Sequence, residues 1–220
     1  MYSTSLKVKR ITTLLVDDHP VVREGLRHLL TNTPDIHVIA EAGSGEASLI
    51  LYKQYTPDVV ILDLNMSGIG GLETIRRLKA IDMKARILIF SMHDGETMIM
   101  RAIEAGATGY LTKQNGMNQV MKAIRSVANR EMFIDAAYVM SVAGRNISGA
   151  RTEPLQTLSI REFQLFKLLA EGKTVVEIAG ILSISPKTVG VHQTNIYKKL
   201  AIQNASQLVR LAIRYNVIEP

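Results

Sequence analysis

Apolar residues along the first 130 positions of the chain follow two alternating patterns. Five short runs rich in β-branched residues, three of them almost wholly apolar as in strands buried within a parallel sheet, lie at residues 11–16, 36–41, 58–63, 86–91 and 109–111. Between these runs, apolar residues recur every three to four positions, which predicts amphipathic helices. Five strands alternating with five helices predict an α/β fold, a doubly wound domain with a five-stranded parallel sheet at residues 1–130.

The pattern changes after residue 130. We interpret residues 131–154 as a linker, because a candidate short helix at residues 135–142 is followed by a polar, glycine-containing segment at residues 144–154 that ends in Pro154. A second domain is predicted at residues 155–220, and from Leu158 its pattern is helical throughout. Four predicted helix starts carry a capping residue, namely Ser159, Thr174, Ser185 and Asn204. Four short helices joined by short turns predict an all-α domain that contains a helix-turn-helix.

Composition narrows the classes of protein that fit this pattern. The chain has no cysteine, which excludes disulfides, a thiol nucleophile and thiolate metal sites, and it has no apolar run of the roughly 18–20 residues that a membrane span needs. We therefore expect a cytoplasmic protein without membrane contact. The net charge is +6, and residues 151–220 hold nine Lys and Arg against five Glu. A basic C-terminal domain favours a polyanionic partner such as nucleic acid.

Side chains suited to phosphoryl chemistry follow four of the predicted strands. Asp17 and Asp18 follow the first strand, Asp63 ends the third, Ser91 ends the fourth and Lys113 follows the fifth. The carboxyl ends of these strands should meet at one rim of the sheet. Three carboxylates there would repel one another, and Mg²⁺ relieves such repulsion through oxygen ligands. The cation also shields an incoming phosphoryl group, whose oxygens a lysine and a hydroxyl can contact.

Residues 10–130 resemble the receiver domain of two-component response regulators. The matching segments are L-L-V-D-D-H, V-V-I-L-D-L-N-M-S-G-I-G-G-L, I-F-S-M-H and A-G-A-T-G-Y-L-T-K. The resemblance implies that Asp63 accepts the phosphoryl group. It also implies that Asp18, Asp63 and the backbone carbonyl of Asn65 ligate Mg²⁺ directly, and that Asp17 binds the ion through water.

The same resemblance assigns roles to three further residues. Ser91 and Lys113 contact the phosphoryl group, and Tyr110 occupies the aromatic position that turns inward on activation, although a tyrosine packed at a sheet edge is the alternative. Two positions depart from the family pattern, because Ser67 and Gln114 stand where many receivers have proline. A cis peptide bond before a non-proline residue is costly, so a trans Lys113–Gln114 bond is expected. Neither departure removes a catalytic atom, and we expect phosphorylation to survive both.

Residues 155–217 resemble the LuxR-type helix-turn-helix domain, and a receiver followed by this domain is the NarL/FixJ type of regulator. The recognition helix is predicted at residues 185–200, with Val189, Ile196 and Leu200 facing inward. The residues expected to contact DNA are Lys187, Thr188, Gly190, Val191, Gln193, Thr194, Lys198 and Lys199. The lysines suit phosphates, whereas Val191 and Thr194 carry methyl groups that can contact thymine. Gly190 departs from the lysine that many relatives carry.

Together these features predict a transcription factor whose DNA binding is controlled by Mg²⁺-dependent phosphorylation of Asp63. The expected partners are a sensor histidine kinase and double-stranded promoter DNA with an inverted repeat, bound as a homodimer. Phosphorylation is expected to change the receiver face around its fourth and fifth helices. The predicted dimer seam lies on the last helix and consists of Leu208, Leu211, Ala212 and Tyr215.

Two other classes of function stay open at this point. A phosphatase could use Asp63 as its nucleophile. The sequence shows no separate general acid or substrate pocket, so we do not expect this protein to be an enzyme. A regulator that works without phosphorylation could use the receiver only for dimerisation or ligand sensing. The intact acidic set with Lys113 argues against that second class.

Overall fold

The structure, a computed structural model, describes residues 10–92, 95–134 and 154–218. The candidate helix at residues 135–142 and most of the predicted linker lie outside the described residues. Among the described residues, no helix combines the length and the apolarity that crossing a bilayer requires.

A parallel sheet lies at the centre of the N-terminal domain, as the alternation of apolar runs predicts. Its strands are β1 (Ile11–Val16), β2 (Ile36–Ala42), β3 (Val59–Leu62), β4 (Ile87–Ser91), β5 (Gly109–Thr112) and β6 (Phe133–Ile134), arranged in the order β2-β1-β3-β4-β5-β6. All residues of β3 and β4 are buried, because helices cover both faces. The predicted fold class is confirmed, and β6 adds a sixth strand whose two residues are too few to produce a readable pattern.

Five helices cover the two faces of the sheet. They are α1 (Pro20–Thr31), α2 (Gly45–Tyr55), α3 (Gly70–Ile81), α4 (Glu96–Ala105) and α5 (Met117–Ala128). One buried apolar cluster joins α1 and α5 to one face, and another joins α2, α3 and α4 to the opposite face. Val21 in the first turn of α1 is 83% exposed, whereas Leu26 and Leu30 further along the helix are buried.

The C-terminal domain is helical throughout its described residues. A 3-10 turn (Pro154–Thr157) leads into α6 (Ile160–Ala170), α7 (Val175–Leu182), α8 (Pro186–Leu200) and α9 (Ala205–Arg214). The four predicted capping residues each accept a hydrogen bond from a backbone N–H in the first turn, and the pairs Ser159/Glu162 and Thr174/Glu177 form complete capping boxes.

The last helix is used differently from the sequence prediction. Leu208 and Ala212 are buried inside the domain, where α9 packs against α6. They are therefore unavailable for the predicted dimer seam, and only Leu211 and Tyr215, both half-buried, keep exposed surface. A four-helix domain this small needs the apolar face of every helix for its own core.

Candidate functional site

The acidic residues predicted at the sheet rim lie together in the structure. Asp17 follows β1 and Asp63 follows β3, and the pairing of Val16 with Leu62 brings the two aspartates to the same level of adjacent strands. Each is only 3% exposed. A tight contact supports this rim, since a Cβ on Gly71 would lie 2.6 Å from the carbonyl oxygen of Asp63. The start of α3 can approach the end of β3 this closely only with glycine.

Lys113 joins two of these carboxylates. Its Nζ donates to Oδ2 of Asp17 at 2.6 Å and to Oδ2 of Asp63 at 2.8 Å. Burial alone would lower the pKa of Lys113, but the hydrogen bonds to Asp17 and Asp63 and their negative charges outweigh burial and raise it. The ammonium is therefore held charged beside the residue predicted to be phosphorylated.

Asp18 presents a carboxylate oxygen that suits a cation. Its Oδ2 accepts from the backbone N–H of Ser67 at 3.0 Å, whereas its Oδ1 is buried without a hydrogen-bond partner. Nδ1 of His19 lies 3.0 Å from that Oδ1, but its hydrogen bond is made with Asp17. Asp17, Asp18, His19 and Asp63 each offer an atom within 4.8 Å of the others. Clustered carboxylate oxygens, one of them unpartnered, fit a hard divalent cation such as Mg²⁺.

The other predicted residues of the receiver site occupy the neighbouring strands. Ser91 is the last residue of β4 and is fully buried, and Tyr110 in β5 is 1% exposed within the cluster that contains Met98 and Ile99. Because β6 pairs with β5, Tyr110 is not at the edge of the sheet. No cis peptide bond occurs among the described residues, so the Lys113–Gln114 bond is trans, as expected.

The buried face of α8 consists of the residues that the sequence predicts to face inward. Val189, Ile196 and Leu200 are buried. Among the residues predicted to contact DNA, Thr188, Gly190 and Gln193 are half-buried, and the exposed ones are Lys187, Val191, Thr194, Lys198 and Lys199. The hydroxyl of Thr194 donates to the carbonyl oxygen of Gly190 at 3.0 Å. This bond leaves the Thr194 methyl group as the part that can contact a base.

Two further residues of this set, Lys199 and Thr188, also have partners within the domain. Nζ of Lys199 donates to Oε2 of Glu162 at 2.6 Å, and the Thr188 hydroxyl lies 2.8 Å from the Ser185 hydroxyl. Burial opposes the ionisation of Glu162, but the bonds from Lys199 and Ser159 prevail and lower its pKa. Lys199 can contact a phosphate only by sharing or leaving this ion pair.

Contacts between the two domains were not predicted from the sequence. Glu73 on α3 is buried and pairs with Arg161 on α6 at 3.1 Å, and Arg77 donates to the carbonyl oxygen of Ile181 at 3.3 Å. Arg101 on α4 donates to the carbonyl oxygens of Leu155 and Leu158. Among the described residues, α3 and α4 thus provide these contacts with the C-terminal domain. No sequence pattern marks such contacts, since arginines on helices are usually solvated.

One contact lies beside the predicted phosphorylation site. Nζ of Lys167 on α6 donates to Oδ1 of Asn65, two residues after Asp63, at 3.0 Å. A cavity of about 300 Å³ opens beside it, between the loop that follows β3 and α6. Gln164 lines this cavity, and its Nε2 is buried without a hydrogen-bond partner. The C-terminal domain therefore contacts the loop that carries the site.

Comparison with known families matches both parts of the chain. Residues 13–125 match the model of the response regulator receiver domain, and residues 156–212 match the bacterial regulatory proteins of the luxR family. Response regulator UvrY of Escherichia coli (strain K12) is 36% identical over 208 residues, which cover 94% of this chain and 95% of UvrY.

Two solved structures resemble this chain over most of its length. The response regulator ChrA of a heme-sensing two-component system is 33% identical with a TM-score of 0.53, covering 96% of this chain and all of that one. RcsB from Salmonella enterica serovar Typhimurium, bound to promoter rprA in the presence of phosphomimetic BeF3⁻, has a TM-score of 0.73 over 92% of this chain and 98% of RcsB. At 23% identity, RcsB supports the fold alone.

Proposed function

Because the chain belongs to the two-component response regulators with a LuxR-type DNA-binding domain, we propose that Mg²⁺-dependent phosphorylation of Asp63 controls its binding to DNA. Proteins of this family regulate transcription and are not enzymes. The proposal assigns residues 1–130 to the receiver, 131–154 to a linker and 155–220 to the DNA-binding domain. It places the protein in the cytoplasm with a sensor histidine kinase as its phosphodonor.

The observation that carries this proposal is the position of Lys113 between Asp17 and Asp63. A carboxylate oxygen of Asp63 would attack the phosphorus atom of a phosphohistidine or of acetyl phosphate. The new bond is the P–O bond of an acyl phosphate, and the bond to histidine nitrogen or to acetate oxygen breaks. Lys113 is charged and its Nζ lies 2.8 Å from Oδ2 of Asp63, so it can bind the oxygens of the phosphoryl group as that group arrives.

The cation has its own set of ligands in the proposal. Asp18, Asp63 and the Asn65 backbone carbonyl hold Mg²⁺ directly, and Asp17 holds it through water. Mg²⁺ supplies positive charge that reduces the repulsion between the carboxylates and the incoming phosphoryl group. The buried Oδ1 of Asp18 supports this set, because a buried carboxylate oxygen that lacks a hydrogen bond is stabilised by a cation. Ser91 donates to a phosphoryl oxygen, and the region around Ser91 and Tyr110 rearranges when Asp63 is phosphorylated.

The proposed DNA contacts lie on the exposed face of α8. Lys187, Lys198 and Lys199 meet phosphates, Thr188 and Gln193 add polar contacts, and Gly190 allows a close backbone approach. Val191 and Thr194 read thymine methyl groups. The protein binds an inverted repeat as a homodimer, with half-sites about one helical turn (roughly 10 bp) apart.

Phosphorylation is tested by treating the full chain with acetyl phosphate and Mg²⁺ and counting phosphoryl groups by intact mass. One group is expected on the wild type and none on Asp63→Asn. Asp18→Ala should bind Mg²⁺ more weakly in a direct titration. Equal labelling of Asp63→Asn would refute the assignment of the acceptor.

DNA binding is tested by selecting target sequences from random duplexes and footprinting the selected site. Two protected half-sites in inverted orientation are expected, with protection increased by phosphorylation. A single unrepeated half-site would contradict binding as a dimer. Protection that is the same with and without phosphorylation would contradict the proposal that phosphorylation controls DNA binding.

A further inference from the structure

A lysine of the DNA-binding domain lies at the proposed phosphorylation site. Lys167 is on α6, and its side chain is only 14% exposed although it ends in an ammonium group. Its Nζ donates to Oδ1 of Asn65, the residue whose backbone carbonyl is a proposed Mg²⁺ ligand. The carboxylate of its own domain that pairs with it, Glu171, lies 3.7 Å away. Lys167 thus places a positive charge of one domain against the acidic site of the other.

The acidic site next to Lys167 carries more negative than positive charge. Asp17, Asp18 and Asp63 contribute three negative charges, and Lys113 offsets one of them. Two uncompensated negative charges remain, and they attract any cation nearby. Burial lowers the pKa of Lys167, and the charges of Glu171, Asp63 and Asp18 offset only part of that lowering. The acidic site therefore reduces the cost of placing the Lys167 ammonium at the contact between the domains.

We propose that Lys167 and Mg²⁺ compete as cations for this acidic site, so that metal binding and packing of the DNA-binding domain against the receiver oppose each other. The inference rests on the Mg²⁺ site proposed above. Mg²⁺ brings two positive charges, which cancel the two that the carboxylates leave. The attraction for Lys167 is then lost, while the cost of keeping its ammonium out of water remains. Lys167 returns to water when the domain moves away.

This competition would couple readiness for phosphorylation to the position of the DNA-binding domain. The metal-bound site is the one that accepts a phosphoryl group, and the same metal weakens the contact at Asn65. The side chain of Asn65, which Lys167 contacts, would then be released from the DNA-binding domain. The other contacts between the domains, such as Glu73 with Arg161, do not involve the acidic site, so they limit how far the domains separate once Lys167 is released.

Mg²⁺ titration of the full chain by calorimetry tests the competition. Lys167→Met removes the charge and keeps the length of the side chain, so it should bind Mg²⁺ about threefold to tenfold more tightly than the wild type. Lys167→Arg keeps the charge and should stay within about twofold of the wild type. Lys173→Met is the matched control, because Lys173 lines the same cavity with an exposed side chain, and it should change little.

The outcomes separate this inference from the proposed function. Unchanged or weaker Mg²⁺ binding by Lys167→Met, or equal tightening by Lys173→Met, would overturn the competition while leaving the metal site intact. A wild type that binds no Mg²⁺ would overturn both the metal site and the competition.

A distance measurement provides a second test that does not depend on affinity. The chain has no cysteine, so Ile50→Cys on α2 and Val176→Cys on α7 give two unique, exposed sites for spin labels. In the wild-type background, Mg²⁺ should broaden the distance distribution relative to NaCl at equal ionic strength. In Lys167→Met the distribution should be broad without Mg²⁺. A distribution that Mg²⁺ leaves unchanged would overturn the inference.

Discussion

The backbone N–H of Ser67 donates a hydrogen bond to Oδ2 of Asp18 across 3.0 Å. Ser67 stands where many receivers have proline, which has no N–H to donate. The bond fixes one oxygen of the Asp18 carboxylate and leaves the other, Oδ1, buried beside Asp17 and Asp63 without a hydrogen bond. The departure from the family pattern at Ser67 therefore adds a support to the proposed metal ligand.

Ser67→Pro should weaken Mg²⁺ binding, because it removes the N–H that orients Asp18. Loss of a hydrogen bond that orients a metal ligand typically costs about tenfold or more in affinity. Ser67→Ala is the matched control, since it removes only the hydroxyl and keeps the backbone N–H. Calorimetric titration with Mg²⁺ compares the three proteins. Equal affinity of Ser67→Pro and Ser67→Ala would show that the bond does not support the site.

Arg76 and Arg77 offer a matched pair for the domain contact. Both pair with the buried Glu73, at 2.8 Å and 2.9 Å, but Arg77 also donates to the carbonyl oxygen of Ile181 in the DNA-binding domain. Arg77→Ala should therefore loosen the packing of the two domains, whereas Arg76→Ala should not. The spin labels at positions 50 and 176 measure the effect as a broader distance distribution. Identical distributions in the two variants would contradict a role for Arg77 between domains.

The sequence predicts the parts of this molecule that depend on local pattern. Apolar periodicity locates β1 to β5 within one or two residues, and the capping pairs locate the starts of the C-terminal helices. Asp17 and Asp63 lie at the same rim of the sheet because their strands are parallel and adjacent. These features can be predicted because the backbone geometry of helices and strands determines where side chains at a given sequence spacing lie.

Features that depend on packing between distant elements could not be predicted in this way. Lys167 and Arg161 look like solvated helix residues, and only the position of the receiver makes them partners of Asn65 and Glu73. The apolar face of α9 looked free for dimerisation, yet Leu208 fills the core of its own domain. Periodicity shows that a face is apolar and does not show which surface covers it.

Glu162 should make the stability of the DNA-binding domain depend on pH. Its pKa is lowered in the folded chain, so its contribution is present above the unfolded pKa and is lost as the pH falls through the folded value. Glu162→Gln keeps an oxygen that can accept from the Ser159 N–H but loses the ion pair with Lys199. The variant should be less stable by about 1 kcal/mol at about pH 7, and the difference should shrink at about pH 3.

Urea unfolding of the full chain at both pH values measures this difference. Glu177→Gln is the control, because Glu177 closes the equivalent capping box of α7 on an exposed surface without a lysine hydrogen bond. Its effect should be smaller. A destabilisation of Glu162→Gln that is the same at both pH values would assign the effect to packing and not to charge.

Gly190→Lys should tighten DNA binding and steepen its salt dependence. An added side chain has room, since no atom outside the helix lies within 4 Å of a Cβ at this position. Each phosphate neutralised adds about 0.9 to the log–log slope of affinity against salt on B-DNA. Gly190→Ala is the control, because it removes the helix-weakening glycine, worth about 1 kcal/mol, without adding charge. Binding titrations at several salt concentrations check both, and a lysine variant that behaves like the alanine variant would show that position 190 does not face DNA.

Thr194→Ala should change sequence preference and leave the salt dependence unchanged. Thr194 is exposed on the same face of α8, and its hydroxyl is already bonded to the carbonyl oxygen of Gly190, so its methyl group is the part free to contact a thymine. Removing that contact should shift preference at one or two base pairs by about 1–3 kcal/mol if the contact is a close one. Titrations on the selected site and on its single-base variants measure this shift. Thr194→Ser, which keeps the hydroxyl and removes only the methyl group, should reproduce it. A change in salt slope without a change in preference would mean that Thr194 lies at a phosphate and that another residue of α8 reads the base.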